Sequence, residues 1–130
     1  MIGPYRKSRS SPLHALDRVK ADFASEAFRF GSSVFGKLRS DVGNWSDKKC
    51  RAQVRKLVRA LNEDDFFCNE TFRFRATGRV INCDVYGKKD ELGVWYIKFA
   101  VLNDNTCLFS CHLAENDMEL KSGKILRVQR

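Results

Sequence analysis

The chain has 130 residues, of which 43% are hydrophobic, and it carries a formal net charge of +8. This length fits one compact domain and is too short for two ordinary ones. No window reaches the roughly 18 apolar residues of a membrane-spanning helix, and no charged-then-apolar leader opens the chain, so we expect a cytoplasmic protein without a membrane partner. The five cysteines have no framework spacing, which favours reduced thiols over a disulfide scaffold.

The positive charge is concentrated in the N-terminal half. Residues 1–60 contain 14 Lys and Arg against 5 Asp and Glu, whereas residues 61–130 contain 10 against 11. This asymmetry indicates a polyanionic partner, with nucleic acid the first candidate and an acidic protein the second. A solvated basic surface without a partner is the alternative.

The composition and periodicity of the N-terminal third predict a basic arm followed by two helices. Residues 1–10 are polar and basic, which is typical of a flexible arm. A helix is predicted to begin at Ser11, with Pro12 in its first turn. Its apolar face has spacings of three and four residues: Leu13, Leu16, Val19, Phe23 and Ala27. "FRF" at 28–30 predicts a short extended piece, and "SSVFGKLRSDVG" predicts a weaker helix interrupted by Gly36.

The segment "SDKKCRAQVRKLVRALN" gives the strongest helical pattern, with Ser46 as the expected N-cap. Its apolar stripe comprises Cys50, Val54, Leu57, Val58 and Leu61. Its other faces carry six cations: Lys48, Lys49, Arg51, Arg55, Lys56 and Arg59. These cations form either a phosphate-facing surface or the ordinary wet side of an amphipathic helix.

After "NEDD" the hydrophobic period changes from 3.6 to 2, which predicts four successive strands. Strands that follow one another through short turns indicate an antiparallel meander with the helices on one face, so the expected fold class is α+β. In the last strand, the alternation predicts one side formed by Cys107, Phe109, Cys111 and Leu113, opposite Ser110 and His112. We expect a single domain over 11–113 and a tail over 114–130, whose "KILRV" is either an added strand or a disordered end.

Metal and thiol chemistry receive little support from the cysteine positions. Cys107 and Cys111 lie four residues apart on a strand, which is roughly 13 Å at about 3.3 Å per residue, too far for one zinc ion or a disulfide. Cys111 and His112 point to opposite faces because they are neighbours on a strand. We therefore expect no metal site, no cofactor and no cysteine nucleophile.

The polar face of the predicted sheet contains groups suited to RNA cleavage, which needs a base, an acid and cations near the phosphate. His112 is a candidate acid or base, Tyr96 can orient phosphate or donate a proton, and Lys98 and Arg73 can stabilise charge. Candidate RNA-contact residues are the nearby and helical cations: Arg75, Arg79, Lys88, Lys89, Arg55 and Arg59. The alternative is that Tyr96 and Lys98 line the wet side of a half-covered sheet.

Several short motifs, in order, resemble the motility quorum-sensing regulator family of toxin–antitoxin toxins. They are "SPLHALDRVK", "LVRALNEDDFF", "CDVYG", "VWYIKFAV" and "CLFSCHL", and together they cover roughly residues 11–113. The resemblance implies a RelE-like α+β fold. It also implies a ribosome-independent mRNA endoribonuclease whose partners are single-stranded mRNA and a cognate antitoxin protein.

The resemblance also implies which residues act, and here the chain departs from the family. The family's catalytic-type tyrosine corresponds to Tyr96 and the lysine after it to Lys98. A family lysine falls on Cys68, a glutamine on Cys83 and a second lysine on His112. A thiol is neutral at pH 7 and cannot supply the positive charge of a lysine. The hypothesis is that Arg73 and Arg75 supply the missing charge and that His112 transfers the proton.

The sequence therefore predicts a metal-independent endoribonuclease toxin that arrests growth and is held inactive by its antitoxin. The alternative is a catalytically decayed relative that acts as an RNA-binding or antitoxin-binding module. The thiols at Cys68 and Cys83 favour the alternative, whereas Tyr96, Lys98 and His112 favour the enzyme. A basic protein-interaction domain without salt-sensitive RNA binding is a third option.

Overall fold

The computed structural model describes residues 11–25, 27–103 and 105–129. These described ranges contain seven strands, a 3-10 turn at Glu63–Asp65 and three helices: α1 Leu16–Ala24, α2 Val34–Val42 and α3 Asp47–Ala60. The strands are β1 Phe28–Phe30, β2 Phe66–Arg73, β3 Val80–Asp90, β4 Gly93–Leu102, β5 Asn105–Leu113, β6 Met118–Glu119 and β7 Ile125–Leu126. The predicted α+β class is confirmed. Within the described ranges, no helix combines the length and apolarity needed to cross a bilayer. The predicted arm over 1–10 lies outside the described residues.

The main sheet has the strand order β1-β5-β4-β3-β2. Strands β2 to β5 form the predicted antiparallel meander. The sheet as a whole is mixed because β1 pairs with β5 in parallel, with Phe28 opposite Thr106. The "FRF" segment therefore forms the extended piece that its sequence predicts, while its pairing partner lies almost 80 residues further along the chain.

All three helices pack on one side of this sheet, here called the helical face. It presents Tyr86, Trp95, Ile97, Phe99 and Leu108, and these side chains share one buried cluster with the apolar stripes of the helices. Helix α3 begins as predicted, since the Ser46 hydroxyl accepts a hydrogen bond from the backbone N–H of Lys49 at 3.1 Å.

The first helix begins at Leu16, and the prediction of a start at Ser11 is wrong. Residues 11–15 instead cross the sheet, because the buried carboxylate of Asp84 accepts the backbone N–H groups of Leu13 (2.9 Å) and His14 (2.8 Å). A carboxylate that accepts backbone donors in this way competes with a helical turn for the same N–H groups. Leu13 consequently lies outside the helix and is largely exposed.

A β-bulge changes the predicted faces of β5. Lys98 pairs with Ser110 but the next residue, Phe99, pairs with Leu108, so Phe109 is the extra residue. Cys107 and Phe109 therefore belong to a cluster on the opposite side of the sheet from Cys111. The prediction that these three share one side is wrong, because a strict alternation has no place for a bulge.

The tail forms a small hairpin, β6–β7, that packs on the other side of the sheet, here called the hairpin face. This face presents Cys83, Val85, Tyr96, Lys98 and His112. Met118, Leu120 and Leu126 of the hairpin are buried there. Gly87 permits this contact, since a Cβ at that position would lie 3.1 Å from the side chains of Met118 and Leu126. Of the two alternatives for "KILRV", the structure has the added strand.

Candidate functional site

Tyr96 and His112 form the centre of the polar part of the hairpin face. They are paired residues on the adjacent strands β4 and β5. Their rings stack at a centroid separation of 4.9 Å and an interplanar angle of 17°. The backbone hydrogen bonds between two paired strands hold directly opposite side chains close together, so the pairing of β4 with β5 fixes the contact between these two rings. Both side chains are half-buried, which leaves them accessible from the cleft described below.

The tautomer of His112 follows from its one hydrogen bond. Its Nδ1 lies 3.0 Å from the carbonyl oxygen of Leu113. A carbonyl can only accept, so Nδ1 carries the proton and donates it. In the neutral ring Nε2 is then the basic atom.

Lys98 and Glu70 form an ion pair beside these rings. The Lys98 Nζ lies 3.8 Å from Glu70 Oε1, and the two side chains are only 13% and 14% exposed. Lys98 also lies over the ring of Phe72, 5.8 Å from its centroid. A half-buried carboxylate and ammonium therefore lie close to an imidazole and a phenol.

Tyr96, His112 and Glu70 line one cleft of about 430 Å³, and Lys98 lies beside it through its ion pair with Glu70. It is lined by Lys37, Phe67, Glu70, Tyr96, His112, Ala114, Glu115, Asn116 and Met118. Lys37 reaches the cleft from α2, where it also pairs with Asp41 at 3.5 Å. The cleft therefore combines the carboxylates of Glu70 and Glu115 with an imidazole, a phenol and a cation, and the C-terminal hairpin forms one wall.

Two thiols lie under this surface. Cys68 and Cys83 are both fully buried. Burial raises the pKa of Cys83 to about 12, although the nearby Lys98 opposes this shift. A thiol of this kind is neutral at physiological pH and supplies no charge to the cleft.

The other predicted catalytic residue, Arg73, does not join this group. It follows Phe72 on β2 and so points to the opposite side of the sheet, where its guanidinium donates to the carbonyl of Gly78 at 3.1 Å. Arg75 and Arg79 lie nearby, exposed around the turn between β2 and β3.

The predicted RNA-contact cations are also dispersed. Lys88 forms an ion pair with the buried Asp65 at 3.1 Å. Lys89 is exposed near the turn to β4, and Arg55 and Arg59 lie on α3, beyond the helical face. The structure brings together Tyr96, Lys98 and His112, and it separates the remaining predicted residues from them.

Glu70 and Lys37 line the cleft and were not predicted from the sequence as site residues. Glu70 lies two residues before Phe72 on β2, and this alternation alone places it on the side opposite Arg73. Lys37 carries no comparable signal, since it reaches the cleft only because α2 packs along β5. No protein-family model matches the sequence, and no curated protein matches it either.

Proposed function

We propose that the protein is an endoribonuclease that cuts single-stranded mRNA in the cleft on the hairpin face. One observation carries the proposal: Glu70, Tyr96 and His112 come from three neighbouring strands and line a single cleft, and Lys98 pairs with Glu70 beside it. A carboxylate and an imidazole can serve as the base and the acid that transesterification of RNA requires. Lys98 and Lys37 supply positive charge for the phosphate.

The proposed step is attack of the ribose 2′-oxygen on the adjacent phosphorus. The bond from phosphorus to the 2′-oxygen forms, and the bond to the 5′-oxygen of the next nucleotide breaks. Glu70 takes the proton from the 2′-hydroxyl, and the protonated ring of His112 gives its Nε2 proton to the departing 5′-oxygen. Tyr96 holds the imidazole by stacking and offers its hydroxyl to the phosphate. The products are a 2′,3′-cyclic phosphate and a 5′-hydroxyl.

The wider role follows from the resemblance of the motifs to the motility quorum-sensing regulator toxins. In this proposal the enzyme works in the cytoplasm, stops growth by destroying mRNA, and is restrained by a cognate antitoxin protein. The step needs neither metal nor cofactor, since Lys98 and Lys37 can offset the phosphate charge. The RelE-like topology is part of the same proposal.

A second candidate is a non-catalytic relative that binds RNA or an antitoxin. It is favoured by the pairing of Lys98 with Glu70, which neutralises the central cation, and by the buried, uncharged thiols at Cys68 and Cys83. In such a protein the cleft would keep its shape without performing the reaction.

The test is cleavage of a mixed-sequence single-stranded RNA by the purified protein, with the chemistry of the product ends determined. Glu70→Gln and His112→Ala should each lower the rate by about 10²–10⁴-fold, since each removes one proton-transfer group. Tyr96→Phe keeps the ring stack and should cause a smaller loss. Growth after induction of the same variants reports the effect in cells.

The matched control is Glu91→Gln, which makes the same carboxylate-to-amide change at an exposed position in the β3–β4 turn. It should cleave like the unmodified protein. If the unmodified protein binds RNA without cutting it and does not arrest growth, the second candidate replaces the first. If Glu70→Gln and His112→Ala cleave normally, the cleft is not the active site.

A further inference from the structure

The positive charge of the protein is almost entirely carried by the layer that contains α2 and α3. Residues 27–60 contain nine Lys and Arg against two Asp, a net charge of +7 compared with +8 for the whole chain. Both aspartates are already paired, Asp41 with Lys37 and Asp47 with Arg39. The remaining cations of this layer therefore exceed the acidic groups available to balance them.

Four of these cations form one line along α3. Lys48, Arg51, Arg55 and Arg59 are spaced by three, four and four residues, so they lie on a single stripe of the helix. At 1.5 Å per residue, neighbouring charges are about 4.5–6 Å apart and the stripe is about 16 Å long. In the described part of the chain, no carboxylate forms an ion pair with Lys48, Arg51 or Arg59.

Aromatic rings contact two cations near the N-terminal end of α3, Arg51 of the stripe and Lys49 beside it. The Arg51 guanidinium lies over the rings of Phe30 (5.1 Å) and Phe35 (5.6 Å), and Lys49 lies 4.4 Å from the centroid of the Trp45 ring. Such contacts fix the cations without neutralising them, so less conformational entropy is lost when an anion binds. Since the cations cover the rings, a ligand meets positive charge at this surface and not an aromatic face on which bases could stack.

We propose that this stripe binds the phosphate backbone of a single-stranded nucleic acid, at a surface separate from the cleft. A line of evenly spaced cations, of which Lys48, Arg51 and Arg59 have no carboxylate partner among the described residues, fits a polymer whose charges are also evenly spaced. An acidic protein segment does not generally provide such even spacing. The stripe lies beyond the helical face, whereas the cleft opens on the hairpin face. Binding here would hold a long strand by its backbone, without regard to sequence.

The inference does not depend on cleavage, and the test uses a strand that cannot be cut. Binding of a fluorescent 15-nucleotide 2′-O-methyl RNA is measured by anisotropy at several salt concentrations. The triple variant Lys48→Gln, Arg51→Gln, Arg59→Gln should bind at least tenfold more weakly at low salt. Its log–log salt slope should be shallower by about 2, since each phosphate contact with a single strand contributes about 0.7.

The matched control removes three positive charges from the C-terminal hairpin: Lys121→Gln, Lys124→Gln and Arg127→Gln. It has the same net charge as the stripe variant and should change the slope by less than half as much. The double variant Lys48→Gln, Arg59→Gln leaves the Arg51 stack intact, so it separates lost binding from lost packing. It should still reduce both affinity and slope.

Equal losses in the two triple variants would overturn the proposal, because binding would then follow net charge alone. It would also be overturned if a polyglutamate peptide of equal charge competed as well as the oligonucleotide, which would identify a surface for acidic proteins. If the unmodified protein binds the uncleavable strand but does not cleave RNA, the cleft mechanism is rejected and the stripe stands.

Discussion

The two faces of the sheet are packed differently. On the helical face, 16 buried residues from the sheet and all three helices form one continuous cluster. On the hairpin face there are two separate clusters of seven and four buried residues. The pair Lys98–Glu70 lies between those clusters, beside the stacked rings of Tyr96 and His112.

The polar groups on the two faces therefore have different roles: those on the helical face stabilise the fold, and those on the hairpin face are available for chemistry. Polar groups buried on the helical face hold the chain together: Asp84 binds the backbone of Leu13 and His14, and Asp22 accepts hydrogen bonds from the backbone N–H and the hydroxyl of Thr106. Polar groups on the hairpin face interact mainly with one another around an open cleft. Substitutions that affect stability and those that affect function should therefore separate by face.

The largest expected effect is a loss of stability, and it should differ between two phenylalanines on opposite faces. Phe99 is fully buried in the helical-face cluster, whereas Phe72 is a partly exposed member of the smaller cluster on the hairpin face. Phe99→Ala should lower the free energy of unfolding by about 4 kcal/mol, and Phe72→Ala by about half as much. Urea denaturation of both variants measures the difference. Equal losses would mean that the two faces contribute alike.

Substitution of Asp90 should cause the next largest loss of stability, and this loss should depend on pH. Its carboxylate accepts hydrogen bonds from Gln53 (2.9 Å), from the Trp95 indole N–H (2.8 Å) and from the backbone N–H of Leu92 (2.9 Å). Burial alone would raise the pKa of Asp90, but these bonds and the nearby Lys56 outweigh it and lower the pKa below 3.8. The carboxylate therefore ties α3 to the β3–β4 turn in its charged form.

Because the pKa is lowered on folding, Asp90 stabilises the fold fully above the pKa that it has in the unfolded chain. This stabilisation is lost as the pH falls through the lower value of the folded state. Asp90→Asn should cost about 2 kcal/mol at pH 7, and the difference should shrink as the pH falls below about 4. Denaturation curves at neutral and acidic pH test this. A difference that stays constant with pH would rule out the charge as its source.

How far the sequence predicts this molecule depends on the range of the interactions. The α+β class, the Ser46 cap and the four-strand meander follow from local periods and turns, which the sequence contains directly. The parallel pairing of β1 and the late start of α1 depend on partners about 70 to 80 residues away. The bulge at Phe109 lies in the pairing with the neighbouring strand β4, but a strict alternation does not show it. The same holds for the cleft: Tyr96, Lys98 and His112 share a face by alternation, but Lys37 reaches them only through packing of α2.

His14 offers a smaller test on the helical face. The ladder between β3 and β4 ends at the pair Asp84 and Phe99. Beyond it the His14 ring bridges the two strands, with Nε2 donating to the carbonyl of Asn82 (3.1 Å) and Nδ1 accepting from the N–H of Val101 (3.3 Å). Only a neutral imidazole can make both bonds, since a protonated ring has no acceptor.

His14→Ala should therefore cost about 1 kcal/mol and reduce the hydrogen-exchange protection of the Val101 amide. Urea denaturation measures the first effect, and amide exchange followed by NMR measures the second. If the protection of Val101 is unchanged in the variant, the imidazole is not the bridge.

The smallest effect concerns reactivity rather than stability. Burial raises the pKa of Cys83 to about 12, so this thiol is neutral at pH 8. Cys107 is partly exposed, although burial raises its pKa too. Iodoacetamide should therefore modify Cys107 before Cys83 in the folded protein, and all five cysteines should react in denaturant. Equal rates for Cys83 and Cys107 under native conditions would mean that the hairpin face opens readily. In that case the Cys83 thiol would be available to the cleft, and the proposed assignment of chemistry to Glu70 and His112 alone would have to change.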